Sequence, residues 1–115
     1  MSGERVSRCG ADETLTVTAE SQGSTEILAV SGPVDVATTA TLAGEIRDAI
    51  ETAPDIVVVD LSAVAFFAAS GLSALVEADG RARAAGCRLV VIAGDGPAQQ
   101  LFELTDAQQI LTIAA

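Results

Sequence analysis

Apolar residues occupy every second position in the first patterned part of the chain, over residues 15–19, where Thr separates them. This period of two, with β-branched residues, is typical of a half-buried β-strand. A second short apolar segment, 27–30, follows a polar stretch, so we expect the two strands to form a hairpin. Residues 1–13 are polar and have no period, which predicts a flexible N-terminal tail.

The pattern then changes to a helical one. Leu42, Ile46 and Ile50 recur on one helical face and predict an amphipathic helix over about residues 39–52. Thr38 stands directly before this helix, where a hydroxyl side chain can cap the free backbone N–H groups of the first turn.

Two more strand–helix units and a last strand follow. The continuous β-branched run 56–59 predicts a central parallel strand covered on both faces. A helical pattern over 72–85 precedes a second buried strand at 87–93. Pro97 suits the first turn of a short third helix, and 110–113 predicts a last edge strand.

The predicted order of elements is therefore β-β-α-β-α-β-α-β. Strands joined through helices run parallel when they are neighbours in a sheet, whereas the first hairpin is antiparallel. We expect an α/β fold of one domain, residues 14–115, with a mixed, mainly parallel β-sheet and helices packed against it. A chain of 115 residues is long enough to bury such a core.

Charge narrows the range of partners. Six basic and sixteen acidic residues give a net charge of −10, which repels phosphate backbones and anionic membrane surfaces. We therefore expect neither nucleic acid nor a membrane as a direct partner, while a basic protein surface and simple solubility both explain the acidity. The N-terminus has no apolar segment of the signal-peptide type, and no apolar run approaches the roughly 20 residues of a membrane span. These features predict a cytoplasmic protein.

Few residues could carry chemistry. The chain has no His, which excludes a Ser-His-Asp triad and a His-ligated metal site. Cys9 and Cys87 match no CxxC or zinc pattern, so we expect no cofactor, no metal and no enzymatic activity, with a redox disulfide between them left open. Asp60 has no paired carboxylate nearby and is interpreted as a turn residue. The segment 94–96 lacks the ending of a phosphate-binding loop and is interpreted as a plain turn.

Three segments form a combined motif by their order and spacing. They are Val30-Ser31-Gly32-Pro33-Val34-Asp35, then Val57-Val58-Val59-Asp60-Leu61-Ser62 through Ser70-Gly71-Leu72, then Gly86-Cys87-Arg88-Leu89-Val90-Val91 leading to Pro97 and Leu101-Phe102-Glu103-Leu104-Thr105. In these segments the chain resembles the STAS domain family, and more narrowly the bacterial anti-sigma factor antagonists. The resemblance covers about residues 14–113.

This resemblance implies a function in transcription regulation. Such proteins bind an anti-sigma factor, usually a protein kinase of the GHKL type, and thereby release a sigma factor. The kinase can reverse this by phosphorylating a Ser or Thr in an Asp-Ser-x-Gly motif at the start of the second helix, where free N–H groups and the helix dipole accommodate a phosphate. Here Ala68 replaces the Asp and Ala69 replaces the phosphoacceptor. We therefore expect no phosphorylation at the usual position.

Ser70 is the remaining hydroxyl of this motif and has two interpretations. It caps the second helix, or it accepts phosphate one position late. We favour the cap because neighbouring positions at a helix start point in different directions. Asp35 and Thr38 also have two interpretations. Asp35 is a turn carboxylate and Thr38 a helix cap, or the loop that holds them borders the partner-binding surface, and the two interpretations are compatible.

The resemblance also implies a partner-binding surface at these segments. The residues expected in it are Pro33, Asp35, Thr38, Ala68, Ala69, Ser70, Gly71, Ser73 and Glu77. We expect a monomer or a weak dimer. Two alternative functions stay open: a sensory module that binds a small ligand or nucleotide, and a STAS subunit of a transporter or stress-signalling complex.

Overall fold

The computed structural model describes residues 4–9 and 15–114 of the chain. Its elements, in chain order, are β1 (Glu4–Cys9), β2 (Leu15–Gln22), β3 (Thr25–Val34), α1 (Thr39–Glu51), β4 (Ile56–Phe67), α2 (Ala69–Ala84), β5 (Arg88–Ile92), α3 (Pro97–Thr105), a short 3-10 helix (Ala107–Gln109) and β6 (Thr112–Ala114).

The six strands form one sheet in the order β1-β2-β3-β4-β5-β6. The pairs β1–β2 and β2–β3 are antiparallel, and the pairs from β3 to β6 are parallel. The predicted α/β class, the mixed sheet and the order of elements from the first hairpin onward are thus confirmed.

The three α-helices cover one face of the sheet. Each helix connects one parallel strand to the next, and the strands β3, β4, β5 and β6 follow one another across the sheet in chain order. Crossovers of this kind are almost always right-handed. Successive helices therefore lie on the same side of the sheet. The described chain measures 34 × 33 × 21 Å. Its short dimension matches one sheet and one helix layer of about 10 Å each.

The core lies between these two layers. Apolar residues that alternate along the central strands are at most 2% exposed and contact buried residues of the helices. Phe67 of β4 packs edge-on against Phe102 of α3, with ring centroids 5.6 Å apart. Burying a large apolar side chain of this kind contributes about 1.5–3 kcal/mol to stability. The largest fully buried side chains include Leu15, Val17, Leu28, Val30, Leu42, Ile46, Val57, Leu61, Leu75, Leu89 and Phe102.

The prediction that the run 56–59 is covered on both faces is wrong. Val57 and Val59 are fully buried beneath the helices, whereas Ile56 and Val58 on the other face of β4 are only partly buried. Since the crossovers all advance in one direction, no α-helix of the described chain lies on that second face. A continuous apolar run therefore belongs here to a two-layer fold with an open sheet face.

The predicted tail over residues 1–13 is also wrong in part, because residues Glu4–Cys9 form β1 and pair with β2. An edge strand is held mainly by backbone hydrogen bonds to one neighbour, so a polar sequence without clear alternation can adopt it.

Other boundaries also differ from the predictions. The strands predicted over 27–30 and 56–59 are longer, at Thr25–Val34 and Ile56–Phe67. Helix α2 begins at Ala69, three residues before the predicted start, directly after an extended β4. Strand β6 begins at Thr112, two residues after the predicted start. The 3-10 turn before it extends to Leu111, whose amide donates to the carbonyl oxygen of Ala107 at 2.8 Å.

Asp60 lies inside β4, so its interpretation as a turn residue is wrong, but its contacts support a structural role. Its Oδ1 accepts hydrogen bonds from the backbone N–H of Ser62 at 2.9 Å and from the Ser62 hydroxyl at 2.6 Å, next to an irregularity in the β3–β4 register.

The sheet order excludes the disulfide left open between the two cysteines. Cys9 ends β1, and Cys87 directly precedes β5, so three strands lie between them. Four strand spacings amount to about 19 Å, whereas the two Cα atoms of a disulfide lie about 4.4–6.8 Å apart. Cys87 is a free, buried thiol.

Candidate partner-docking site

Two of the predicted segments meet at the carboxyl end of the parallel strands. Pro33 and Val34 at the end of β3 pair with Phe66 and Phe67 at the end of β4. The amide of Ala68 donates to the carbonyl oxygen of Val34 at 2.8 Å. The loop between β3 and α1 and the start of α2 therefore lie side by side.

Asp35 organises the loop between β3 and α1. Its Oδ1 accepts hydrogen bonds from the amides of Ala37 at 2.9 Å and Thr38 at 3.0 Å. Its carbonyl oxygen accepts the amide of Thr39 at 2.9 Å and the Thr39 hydroxyl at 2.6 Å. Asp35 thus satisfies the free N–H groups that precede α1, as a turn carboxylate does.

The prediction that Thr38 caps α1 with its side chain is wrong. Its Oγ1 accepts the amide of Asp35 at 2.9 Å and donates to the carbonyl oxygen of Pro33 at 2.8 Å, so the hydroxyl faces back into the loop. Thr38 is only 3% exposed. The carboxylate of Asp35 takes the capping role because its turn begins three residues earlier.

The prediction that Ser70 caps α2 is wrong for a related reason. The helix starts at Ala69 and has Ala68 at its N-cap, so Ser70 lies inside the first turn. Its hydroxyl oxygen lies 2.8 Å from Oγ1 of Thr39 in α1. Because the Thr39 proton is already donated to the carbonyl oxygen of Asp35, Ser70 is the donor in this contact.

The start of α2 leaves backbone donors free for a partner. The N-cap residue Ala68 has no polar side chain, and the first amides of a helix have no acceptor within it. The next amide, of Gly71, donates to the carbonyl oxygen of Ala68 at 2.9 Å. The side chain of Ala69, which the resemblance predicts to stand at the family's phosphoacceptor position, is exposed.

Gly71 does not belong to the accessible surface. A Cβ atom on it would lie 2.8 Å from Cγ1 of Val34 and 2.9 Å from the ring of Phe67, both distances too short for real contacts. Because Gly71 has no side chain, α2 can pack closely against the ends of β3 and β4. Its expected place among the partner-binding residues is therefore wrong, and its role is close packing.

Two exposed apolar residues at this end were missed in the sequence analysis. Val36 is 84% exposed in the loop after β3, and Phe66 is 53% exposed at the end of β4. Val36 is the one large apolar residue of its turn. Phe66 precedes the buried Phe67 in a strand, where neighbours face opposite sides. Alternation along β4 could have identified Phe66.

We use the name docking surface for the accessible residues at this end of the molecule. Of the predicted set, Ala69, Ser73 and Glu77 are exposed, whereas Pro33, Asp35, Ala68 and Ser70 are partly exposed. Ser70, Ser73 and Glu77 follow each other at helical spacing along α2. The docking surface consists of Pro33, Asp35, Val36, Phe66, Ala68, Ala69, Ser70, Ser73 and Glu77.

An open cavity of the described chain lies elsewhere. A groove of about 320 Å³ runs between the last turns of α1 and α2, lined by Arg47, Ile50, Glu51, Arg81, Ala84 and Ala85. In the described ranges, no three His, Cys, Asp or Glu side chains come together as a metal site. No helix among the described residues has the length and apolar character to cross a membrane.

A sequence profile described as "Mlab, STAS domain" matches residues 17–112, which is most of the chain. The chain therefore belongs to the STAS domain family. No protein of curated function matches it in sequence.

Solved structures extend this likeness to anti-sigma factor antagonists. One from Mycobacterium paratuberculosis is 25% identical, with 91% of this chain and 89% of that chain covered and a TM-score of 0.79. The unphosphorylated form of SpoIIAA, an anti-sigma factor antagonist, is 15% identical, with 86% of this chain and 88% of that chain covered and a TM-score of 0.70. The STAS domain of an anti-sigma factor antagonist from Rhodobacter sphaeroides is 20% identical, with 85% of this chain and 96% of that chain covered and a TM-score of 0.57. The last two likenesses show the fold.

Proposed function

We propose that this protein is an anti-sigma factor antagonist, which binds an anti-sigma factor through the docking surface and so releases a sigma factor. The proposal is supported by the likeness to the Mycobacterium paratuberculosis antagonist over nearly the whole of both chains. It requires binding alone, with no reaction catalysed by this chain.

The observation that carries the proposal is the exposure of Val36 and Phe66 beside the free amides of α2. Aromatic side chains such as Phe66 contribute strongly to the energy of protein interfaces, and burying a neighbouring apolar side chain such as Val36 adds to it. The loop that presents Val36 is already held by the hydrogen bonds of Asp35 and Thr38. A partner therefore orders little of the chain on binding, which favours affinity.

The partner is an anti-sigma factor of the protein-kinase type, by the resemblance described above. Because Ala69 lacks a hydroxyl, the kinase cannot modify the family's usual position. The complex is then controlled by the amount of either protein or by another input.

The test compares two surface substitutions with the same exposure. Val36 and Leu104 are both 84% exposed, but Leu104 lies near the end of α3, towards the opposite end of the parallel strands. Affinity for each anti-sigma factor kinase of the same cell is measured by calorimetry for wild type, Val36→Asp and Leu104→Asp. We expect Val36→Asp to weaken binding about tenfold or more, or about 1.4 kcal/mol. Leu104→Asp should leave it unchanged.

Equal effects of the two substitutions, or no binding to any such kinase, would contradict the proposal. Capture of a transport ATPase or a high-mass complex from the native cytosol would support the transporter or stress-complex alternative. Retention of a small molecule that titrates with the groove residues Arg47 and Arg81 would support the sensory one.

A further inference from the structure

The face of the sheet opposite the helices carries a contiguous apolar patch. Ile27, Val58 and Val90 are direct neighbours across β3, β4 and β5. Ile56 and Ile92 extend the patch along the strands, and all five side chains are partly exposed. We call this patch with its rim the open face.

The open face does not contribute to the core. The residues that alternate with it, among them Val57, Val59 and Val91, are fully buried, and the partly buried residues that pack against the core all belong to the helices or to β6. β-branched apolar side chains are costly on a solvated sheet face, where Thr would satisfy the same strand preference. The open face also lies outside the docking surface, which occupies the carboxyl end of the strands.

Charged residues stand at three borders of the open face. Asp60 lies beside Ile92 at the carboxyl end, where its carboxylate accepts hydrogen bonds from the amide and the hydroxyl of Ser62. Glu20 lies on β2, in the same row as Ile27, Val58 and Val90. Arg88 begins β5 and is exposed, in the row of Ile56. Glu20 and Arg88 are three strands apart, about 14 Å, so they do not pair within one chain.

We propose that the open face is the interface of a homodimer, in which a second copy of this chain stacks on it around a two-fold axis parallel to the strands. An axis between β3 and β4 brings β3 over β4 of the other copy and β2 over β5. Ile27 then packs on Val58 of the second copy. Glu20 lies opposite Val90 of the second copy, two residues or about 7 Å from Arg88, within reach of the long Arg side chain.

The charge pattern selects a second copy over an unrelated protein. The two-fold axis repeats the contact between Glu20 and Arg88, so these two residues form two complementary pairs in the dimer. Asp60 lies opposite Ala29 of the second copy and keeps its hydrogen bonds to Ser62. The net charge of −10 on each chain makes two copies repel each other in arrangements that lack these pairs.

The size of the open face sets the expected strength. The four strands β2 to β5, about 4.8 Å apart, and three rows of outward residues about 6.8 Å apart make about 400 Å² per copy. The total of about 800 Å² is below the roughly 1,200–2,000 Å² of stable complexes. The dimer is therefore weak and depends on concentration.

The test is sedimentation equilibrium of the full chain from about 1 μM to about 1 mM, a range that brackets weak association. We expect monomer at the low end and dimer at the high end. Arg88→Glu and Glu20→Arg should each lower the association constant about tenfold, because each substitution places like charges opposite each other at both symmetry-related contacts. The double substitution should restore association to within about threefold of the wild type.

Controls separate this proposal from a general charge effect and from the proposed function. Arg47→Glu makes the same change of net charge on α1 and should leave association unchanged, as should Val36→Asp on the docking surface. Val58→Thr keeps the branched shape and should weaken association severalfold without unfolding the sheet. A chain that is monomeric at about 1 mM, or a double substitution as weak as the single ones, would overturn the homodimer.

Discussion

Ser70 in α2 and Thr39 in α1 are joined by a hydrogen bond of 2.8 Å between their hydroxyl oxygens. Thr39 in turn donates to the carbonyl oxygen of Asp35, whose carboxylate holds the loop after β3. One continuous set of hydrogen bonds therefore connects the start of α2 with the loop that presents Val36. The two halves of the docking surface form one rigid unit.

The first prediction concerns this connection. Ser70→Ala removes the donor to Thr39 and should lower the free energy of unfolding by about 0.5–1.5 kcal/mol, the usual net value of a hydrogen bond. It should also speed amide exchange in the loop around Val36. Urea unfolding and native-state hydrogen exchange measure the two effects. Ser73→Ala, at an exposed position of the same helix, is the control. Its free energy of unfolding should stay within about 0.5 kcal/mol of the wild-type value. Identical exchange in both variants would contradict the connection.

The second prediction compares two glycines of α2. Gly71→Ala places a methyl group 2.8 Å from Val34 and 2.9 Å from Phe67, so it should destabilise the fold by about 1–3 kcal/mol, as overpacking does. Gly80 is exposed in the same helix with nothing within 4 Å of its Cβ position, and Gly80→Ala should stabilise by about 0.5–1 kcal/mol. The melting temperatures of the two variants and the wild type, measured by thermal unfolding, test this prediction. Equal melting temperatures would refute the close packing of Gly71.

Local patterns predict the fold well where periodicity is strong. The order of strands and helices after residue 14 followed from alternation over 15–19, the helical spacing of Leu42, Ile46 and Ile50, and Pro97 at a helix start. The open face could not be predicted in this way. A β-branched run such as 56–59 looks alike in a two-layer and a three-layer fold, because the direction of the crossovers decides which faces are covered.

The candidate site shows a similar division. The segments around Pro33 and Ala68 were predicted to lie together, and their strands do pair at that end. The roles of single residues could not be predicted, because a shift of one or two positions in a helix start changes which side chain caps it. Ser70 became an interhelical donor through such a shift.

The third prediction concerns pH. Burial raises the pKa of the Cys87 thiol, and the nearby Asp55 carboxylate adds to this, while the Val57 backbone hydrogen bond opposes it. A pKa that is higher in the folded chain means that stability is fully present below the unfolded pKa and is lost as pH rises through the folded pKa. The chain has no Lys or Tyr, so few other groups titrate there.

The free energy of unfolding in urea should therefore fall from about pH 8 to pH 11, the range around an ordinary thiol pKa. Cys87→Ala should reduce this slope, since the variant has no thiol at that position. Native Cys87 should also react slowly with a thiol reagent at neutral pH and rapidly in urea. A slope that is the same in the variant would assign the loss to other groups.

The last prediction tests regulation and depends on the proposed function. Ala69 is exposed at the first position of α2, where free amides and the positive end of the helix dipole accommodate a phosphate. Neither Ala68 nor Ala69 has a hydroxyl or carboxylate, and Ser70 donates to Thr39. Wild-type chain incubated with its kinase partner and ATP should therefore keep its intact mass.

Restoring the family motif with Ala68→Asp and Ala69→Ser should create a phosphoacceptor next to Val36 and Phe66. Its modification adds about two negative charges to the docking surface, which should weaken binding to the kinase about tenfold or more through repulsion and desolvation. Intact-mass spectrometry and calorimetry before and after ATP measure both effects, and Ala68→Asp alone is the control without an acceptor. Phosphate on the wild type that disappears in Ser70→Ala would contradict the prediction, because it would show that Ser70 leaves its contact with Thr39 and serves as the switch.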